Sequence, residues 1–384
     1  MRTISTGLHK LRLLPDMRLL LDTFFADVER AKERIDVECY IVNSDQLGRL
    51  LGDALVKAAG RGVKTRLLYD PLGSEKADPE FFEELRAQGV DARPYRPYSK
   101  SILGKGSSFT RDHGRIMVLD DIAYTGGAAW GDQWLPSERG GKGWHDVCHR
   151  IEGPVVENFS ELFDKRWAEA TGDEVPCNYD TGDTYPDVRL LSDTPDSVNV
   201  VEPAHREAID GAKRRVWIAN AYFYPSKLLE ECLYRALERG IDVRVITVGE
   251  TDLPLIKGAG RYGYAEWLAH GLALYEYQPT VMHSKYLIVD DDWCSIGTWN
   301  ANPTSTGLVN EVNLVVKHPE FVAEVAKQYE RDLSHSKRIT KDMPGMRPMG
   351  QRIRDAARAA FLRIVDVTMG ETHQDKQDAR RKDD

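Results

Sequence analysis

Apolar positions recur along the chain with two alternating periods, and they do so twice. Residues 28–69, VERAKERIDVECYIVNSDQLGRLLGDALVKAAGRGVKTRLLY, begin at a helix end carrying Ala31-Lys32 and continue into a strand ending Tyr-Ile-Val. An amphipathic helix follows, closed by Arg61-Gly62, and then a second apolar strand. Residues 207–247, EAIDGAKRRVWIANAYFYPSKLLEECLYRALERGIDVRVIT, repeat that order with Ala212-Lys213, a strand ending Tyr-Phe-Tyr, a helix closed by Arg239-Gly240, and another strand. Helices inserted between such strands imply crossover connections, so each copy is expected to be an α/β unit, and the chain two tandem α/β halves.

A second repeated stretch lies downstream of each unit. Residues 281–300 read VMHSKYLIVDDDWCSIGTWN, and residues 109–134 read FTRDHGRIMVLDDIAYTGGAAWGDQW. His283 and Lys285 correspond to His113 and Arg115, each pair followed by a short apolar run closed by aspartate, Asp290 or Asp120. Further on, Asp146-Val147 precedes a strand ending at Ile151, as Glu311-Val312 precedes Asn313 to Val316. The turn formers and acids of 171–200 read as a linker. The expected organisation is a first half over 1–177, a linker over 178–200, a second half over 201–340 and a tail over 341–384. The two halves are expected to meet about a pseudo-twofold axis with the active site between them.

Composition adds limits. The 384 residues are 41% hydrophobic and 29% charged, as in globular proteins. The net charge of -9 gives no reason to expect nucleic-acid affinity. Five scattered cysteines without CxxC spacing predict a reducing compartment and no zinc site. No run approaches the roughly 18 apolar residues that cross a bilayer, so a cytoplasmic or peripheral protein is expected. In the tail, 347–370 places Ile353, Ala357, Ala360, Phe361, Ile364 and Val365 on one helical face, with Arg352, Arg354, Arg358 and Arg363 elsewhere. That pattern predicts a basic amphipathic helix suited to an anionic membrane surface.

The paired motifs suggest chemistry at phosphorus. A neutral imidazole can attack a phosphodiester while a second imidazole protonates the leaving oxygen, because both forms of histidine are accessible near neutrality. Two histidines facing each other across the pseudo-twofold axis, His113 and His283, would suit in-line displacement. Arg115 and Lys285 would bind the nonbridging oxygens, with Thr298 and Asn300, and Gly126 and Gly127 in the other copy, lining the substrate site. Asp146 and Glu311 would hold the other ring nitrogen of a histidine and fix its tautomer. Asp120 and Asp290 complete the candidate catalytic set, although at strand ends a hairpin or salt-bridge role is expected of them more than proton transfer. No cofactor or metal is expected. The remaining eight histidines lie outside the repeated context; His270, before Gly271, reads as a helix C-terminal residue.

With these motifs the sequence resembles the phospholipase D superfamily, whose signature is HxKxxxxD followed by G[ST]xN in each of two halves, and within it the cardiolipin synthase branch. The likeness runs from about residue 5 to 340 and includes YIVNSDQLGRLLGDALVKAAGRGVKTRLLYDPLGS (40–74), HRIEGPVV (149–156), IANAYFYPS (218–226), ALYEYQPTVMHSKYLIVDDDW (273–293) and NEVNLVV (310–316). It implies a phosphatidyl-histidine intermediate on His113, with His283 as acid and then base, and phosphatidylglycerol as donor. The residues themselves do not say which histidine attacks. Three departures stand out: Arg115 in place of lysine, an Asp120-to-Gly126 hairpin one residue short, and Ala129 where the asparagine belongs. A lost preorganised donor costs about 2.7–4 kcal/mol of transition-state stabilisation, which predicts a slowed or retuned enzyme. Hydrolysis to phosphatidic acid, nuclease activity and noncatalytic lipid binding are the alternatives.

Overall fold

The computed structural model describes residues 2–96, 110–174, 185–195, 199–305, 307 and 309–340. The expected tail helix over 347–370 lies outside them. The first half contains β1 (Ile4–Thr6), β2 (His9–Leu14), α1 (Met17–Arg30), β3 (Arg34–Cys39), α2 (Gln46–Gly60), β4 (Lys64–Tyr69), α3 (Pro79–Ala87), β5 (Asp91–Pro94), β6 (Arg111–Asp112), β7 (Arg115–Leu119), β8 (Ile122–Gly126), β9 (Cys148–Glu152) and α4 (Val155–Thr171). The second contains β10 (Val188–Asp193), α5 (Val201–Gly211), β11 (Arg215–Asn220), α6 (Lys227–Glu238), β12 (Asp242–Val248), α7 (Pro254–Ala269), β13 (Ala273–Tyr277), β14 (Lys285–Val289), β15 (Trp293–Gly297), β16 (Val309–Val316), α8 (Pro319–Ser334) and β17 (Ser336–Arg338).

Two sheets follow one plan. The first runs β1-β2-β9-β8-β7-β3-β4-β5 and the second β10-β16-β15-β14-β11-β12-β13-β17. In each, the helix-separated strands are parallel (β3, β4, β5 and β11, β12, β13), and the hairpin strands add antiparallel to them through β7 or β14. The sheets pack on each other through β8 and β9 against β15 and β16, and one apolar core runs from Phe24 and Trp130 of the first half to Ile296, Leu314 and Tyr329 of the second. A second core lies under α5 and α6, around Val201, Leu233 and Val245.

The local repeats have direct physical causes. Gly62 and Gly240, at φ 86° and 80°, turn the chain out of α2 and α6 in the left-handed region that glycine tolerates. The arginines before them reach back to the ends of the preceding helices: Arg61 donates to Val28 O at 2.7 Å and Arg239 to Ile209 O at 2.9 Å. The Ala-Lys repeats and the hairpin aspartates are partners. Asp120 accepts from the amides of Lys32, Glu33 and Arg34, and Asp290 from those of Lys213, Arg214 and Arg215. The missing hairpin residue falls in the turn, since Leu119 pairs with Ile122 while Val289 pairs with Trp293.

The stretch expected as linker is not all linker. Val188–Asp193 forms β10, in register with β16 from Val188↔Val316 to Asp193↔Glu311. It stands where β2 stands in the first sheet, beside β9. The Arg-Leu-Leu of 12–14 and of 189–191 therefore lies in the corresponding strand of each copy, β2 beside β9 and β10 beside β16, hidden in the second by flanking turn formers.

Candidate active site

His113 and His283 each lie two residues ahead of the cation that opens β7 or β14, so alternation along the chain places both side chains of a pair on one side. Backbone pairing across the halves then fixes the histidines. The His283 amide donates to His145 O at 2.7 Å, and the His113 amide donates to Asn310 O at 3.1 Å. His145 bridges in parallel to Met282, and β6 runs parallel to β16 through Asn310↔Asp112. Each acceptor carbonyl belongs to the residue immediately before a carboxylate. Asp146 thereby comes under His283, Oδ2 at 2.9 Å from Nδ1, and Glu311 under His113, Oε2 at 3.0 Å from Nδ1. Both pairings exchange partners between halves, which makes the site a property of the whole chain.

An ionised carboxylate only accepts, so it draws the ring hydrogen to Nδ1 and leaves Nε2 with a free lone pair. Burial, followed by the charge of Lys285, pushes His283 down to about 3. His113 is also held well below its ordinary value, by burial and then by Arg115 and Lys285. Both rings are neutral in the free protein. That Lys285 acts on both of them, and Asp146 on His113 as well as on His283, puts the two imidazoles in one electrostatic cluster.

The carboxylates differ. Burial would raise Asp146, but His283, Lys285 and the Trp134 indole outweigh it and keep the group ionised. Trp134 Nε1 donates to Asp146 Oδ2 at 3.1 Å, and the Val147 amide to Oδ1 at 3.0 Å. Glu311 is pushed up to about 7 by burial, with the Thr298 hydroxyl pulling it back. Thr298 Oγ1 donates to Glu311 Oε2 and accepts from the Val312 amide. Its one hydrogen thus serves Glu311, whereas the sequence suggested a donor to substrate.

Gly127 occupies the position of Thr298 in the first half, and a Cβ there would stand 2.4 Å from Asp146 Oδ1. A Cβ on Gly126 would meet Cys148 Sγ at 2.4 Å. These glycines admit Asp146 and β9 to close range, and Trp134 supplies from another direction the hydrogen bond that Thr298 gives Glu311.

The cations are buried. Arg115 donates through Nη1 to His113 O, while its Nε and Nη2 have no partner among the described residues. Lys285 donates to His283 O, lies 2.9 Å from the His283 ring nitrogens, and sits 5.6 Å from the Tyr222 ring centroid. Burial pushes it down to about 7. Asn300 is buried, its Oδ1 without a partner among the described residues, and Ala129, also buried, fills the related place with a methyl group. The unpartnered Arg115 N–H donors favour an anionic ligand, whereas the Asn300 oxygen can only accept.

Asp120 and Asp290 are at the far ends of β7 and β14, and their carboxylates cap three amides each. Proton transfer between the histidines is out of their reach. Trp134 and Trp144 carried no sequence signal, and Tyr40 and Tyr222 stood out only as repeated strand ends; their rings pack on the histidines at 5.1, 5.8, 5.5 and 5.9 Å. Nor did the sequence mark the buried Glu38, Asp112 and Arg166 beneath Gly114. The lack of a hydroxyl at Gly127 was the one available hint that Asp146 needs a donor such as Trp134.

Comparison with known proteins agrees with this architecture. The family described as "Cardiolipin synthase, PLD-like domain" matches residues 206–333. The chain is 31% identical over 344 residues to the cardiolipin synthase of Geobacillus kaustophilus, covering 87% of this chain and 68% of the relative. It is 31% identical over 323 residues to cardiolipin synthase B of Salmonella typhimurium, covering 82% and 78%. The solved phosphatidylserine synthase of Haemophilus influenzae shares the fold, with a TM-score of 0.76 at 15% identity, over 95% of this chain and 96% of that one. The chain belongs to the cardiolipin synthase family of phospholipase D-type phosphatidyltransferases.

Proposed function

We propose that the protein makes cardiolipin from phosphatidylglycerol by two displacements at one phosphorus, through a phosphatidyl-histidine on His113. The observation that carries this reading is the reciprocal pairing of each imidazole with a carboxylate of the other half, beside two buried cations. In the first step His113 Nε2 attacks phosphorus, a P–N bond forms, and the P–O bond to the glycerol head group breaks. His283 gives its proton to the departing glycerol oxygen. In the second step His283 takes the proton from the glycerol hydroxyl of another phosphatidylglycerol, whose oxygen attacks phosphorus. The P–N bond breaks and His113 is restored.

Three features support the assignment of roles. The His113 side chain is 14% exposed and that of His283 5%, so His113 is the ring more open to an incoming lipid. Asp146, kept ionised by three donors, suits a partner that must become imidazolium. A substrate phosphate adds negative charge beside His283 and raises it toward the protonated form the first step uses. Arg115 Nε and Nη2 and Lys285 Nζ are placed to take the nonbridging oxygens as charge builds there.

Among the described residues no helix is long and apolar enough to cross a membrane. An anionic membrane surface, reached from the cytoplasmic side, is the proposed site of action. Purified protein is incubated with phosphatidylglycerol vesicles and EDTA, and the products are separated by mass spectrometry. Cardiolipin with free glycerol, abolished in His283→Ala, is expected. Phosphatidic acid alone would assign hydrolysis, and the absence of any product would reject the proposal.

A further inference from the structure

His145 lies outside the repeated motifs, yet its main chain and side chain both lead to His283. Its amide donates to Val281 O at 2.9 Å and its carbonyl accepts from His283 N at 2.7 Å, so it bridges the segment just before β14 on both sides. Asp146, the partner of His283 Nδ1, is the next residue.

The side chain reaches the other way, into the second half. His145 Nε2 stands 2.9 Å from Asp332 Oδ1 on α8, an ion-pair contact made off the N–H axis. Asp332 is buried and fully engaged: Gln328 Nε2 donates to Oδ1 at 2.7 Å and the Tyr286 hydroxyl to Oδ2 at 2.5 Å. Tyr286 belongs to β14, the strand that Lys285 opens. The His145 ring also stacks on Tyr277 of β13, with centroids 5.2 Å apart and planes 20° apart. The imidazole therefore touches α8 at Asp332 and β13 at Tyr277, Asp332 joins it to Tyr286 of β14, and its own main chain forms the bridge that holds His283. Burial opposes a charge on the His145 ring, but Asp332, with Asp146 and Asp16 beyond, raises its affinity for a proton above the ordinary histidine value.

Asn310 holds the related place on the opposite side. Its carbonyl accepts from the His113 amide, and its Nδ2 donates at 3.0 Å to Asp112 Oδ1 in the first half. Both residues precede the carboxylate and anchor in the half to which that carboxylate is delivered. The side chains differ while the geometry is shared, which argues for a common task in alignment.

We propose that His145 is a positioning residue that clamps α8, through Asp332, to the bridge holding His283 against Asp146. The inference rests on the reading that His283 and Asp146 act in phosphatidyl transfer. The variants are His145→Ala, Asp332→Asn and the pair together, each checked for folding by circular dichroism. In either single variant kcat with phosphatidylglycerol is expected to fall about tenfold to a hundredfold, with KM within about threefold, as for a misplaced catalytic group. The double variant is expected to be no slower than the worse single one, because the two side chains form one clamp.

A readout independent of turnover accompanies these rates: the downfield Nδ1 proton of His283 in NMR spectra, assigned by its loss in His283→Gln. It is expected to shift or broaden in His145→Ala, and in Asp332→Asn should the alanine variant not fold. An unmoved resonance in a folded variant overturns the inference, whatever happens to kcat. If the unmodified protein turns over no lipid, the proposed function fails and the resonance still decides the clamp.

Discussion

His113 Nδ1 lies 3.0 Å from Glu311 Oε2, although 198 residues separate them and they belong to different halves of the molecule. The reciprocal contact, His283 with Asp146, spans 137 residues at 2.9 Å. Tautomer control in each half is thus supplied by the other. Gln at 311 keeps the size but can donate to His113 Nδ1, which moves that ring's hydrogen to Nε2, where the attacking lone pair is needed, and Asn at 146 removes the charge that supports the His283 imidazolium. Glu311→Gln and Asp146→Asn are expected to reduce kcat by about 10³–10⁴-fold with the fold intact. Steady-state turnover of phosphatidylglycerol vesicles, with circular dichroism as control, checks this.

Thr298 is expected to set the acid side of the pH profile. Glu311 must be ionised to hold the His113 Nδ1 hydrogen, and burial has already pushed it up to about 7. Thr298→Val removes the hydroxyl that favours the ionised form. Glu311 then takes up its proton at a higher pH, so activity falling with decreasing pH is lost sooner. The acid limb of kcat/KM against pH is expected to move upward; an unmoved limb would separate Thr298 from Glu311.

Lys285 is expected to set the alkaline side. Burial pushes its ammonium down to about 7, so the free protein loses this cation as pH rises through that value. Phosphate binding favours the charged form, yet kcat/KM reports the free enzyme and is expected to decline above about pH 7. In Lys285→Arg the guanidinium stays charged, as at Arg115, and the alkaline limb should recede even if the bulkier group lowers the maximum rate.

Gly127→Ala tests the close approach of Asp146. A Cβ 2.4 Å from Oδ1 and 2.8 Å from Oδ2 must displace the carboxylate, which has Trp134 and the Val147 amide to keep as well as His283. A shift of about 1 Å is expected to lower kcat roughly a hundredfold. Measuring kcat and KM separately distinguishes this from loss of lipid binding.

Asp290→Ala should divide stability from catalysis. The carboxylate caps three amides at the entry to β11, and its residue sits at φ 51°, a conformation alanine adopts less readily. A loss of about 1–3 kcal/mol in urea unfolding is expected. The kcat of the folded enzyme should stay within about threefold. A thousandfold loss would return Asp290 to the chemistry.

Much of this was legible in the sequence because a repeated pattern constrains itself. The Ala-Lys, Arg-Gly and His-x-cation pairs recur in order, and the first two proved to mark contacts made within one half, such as Arg61 to Val28 O or Asp290 to Arg214 N. What escaped was set by long-range packing. β10 was masked by turn formers because only its pairing with β16 makes Val188–Asp193 a strand. The role of Thr298 could not be read without knowing that Glu311 swings under its hydroxyl, and Trp134 gave no sign of reaching Asp146. His145 looked unremarkable among the histidines for the same reason: its partner, Asp332, lies on a helix of the other half.

The most direct test of a shared phosphorus between the two rings uses a donor whose leaving group needs no acid. His283→Ala is mixed with phosphatidyl-p-nitrophenol and followed by p-nitrophenol release and intact-protein mass spectrometry. One equivalent of p-nitrophenol is expected, with a single phosphatidyl group retained on His113 and none formed in His113→Ala. No adduct, or an adduct carried by another residue, would contradict the account.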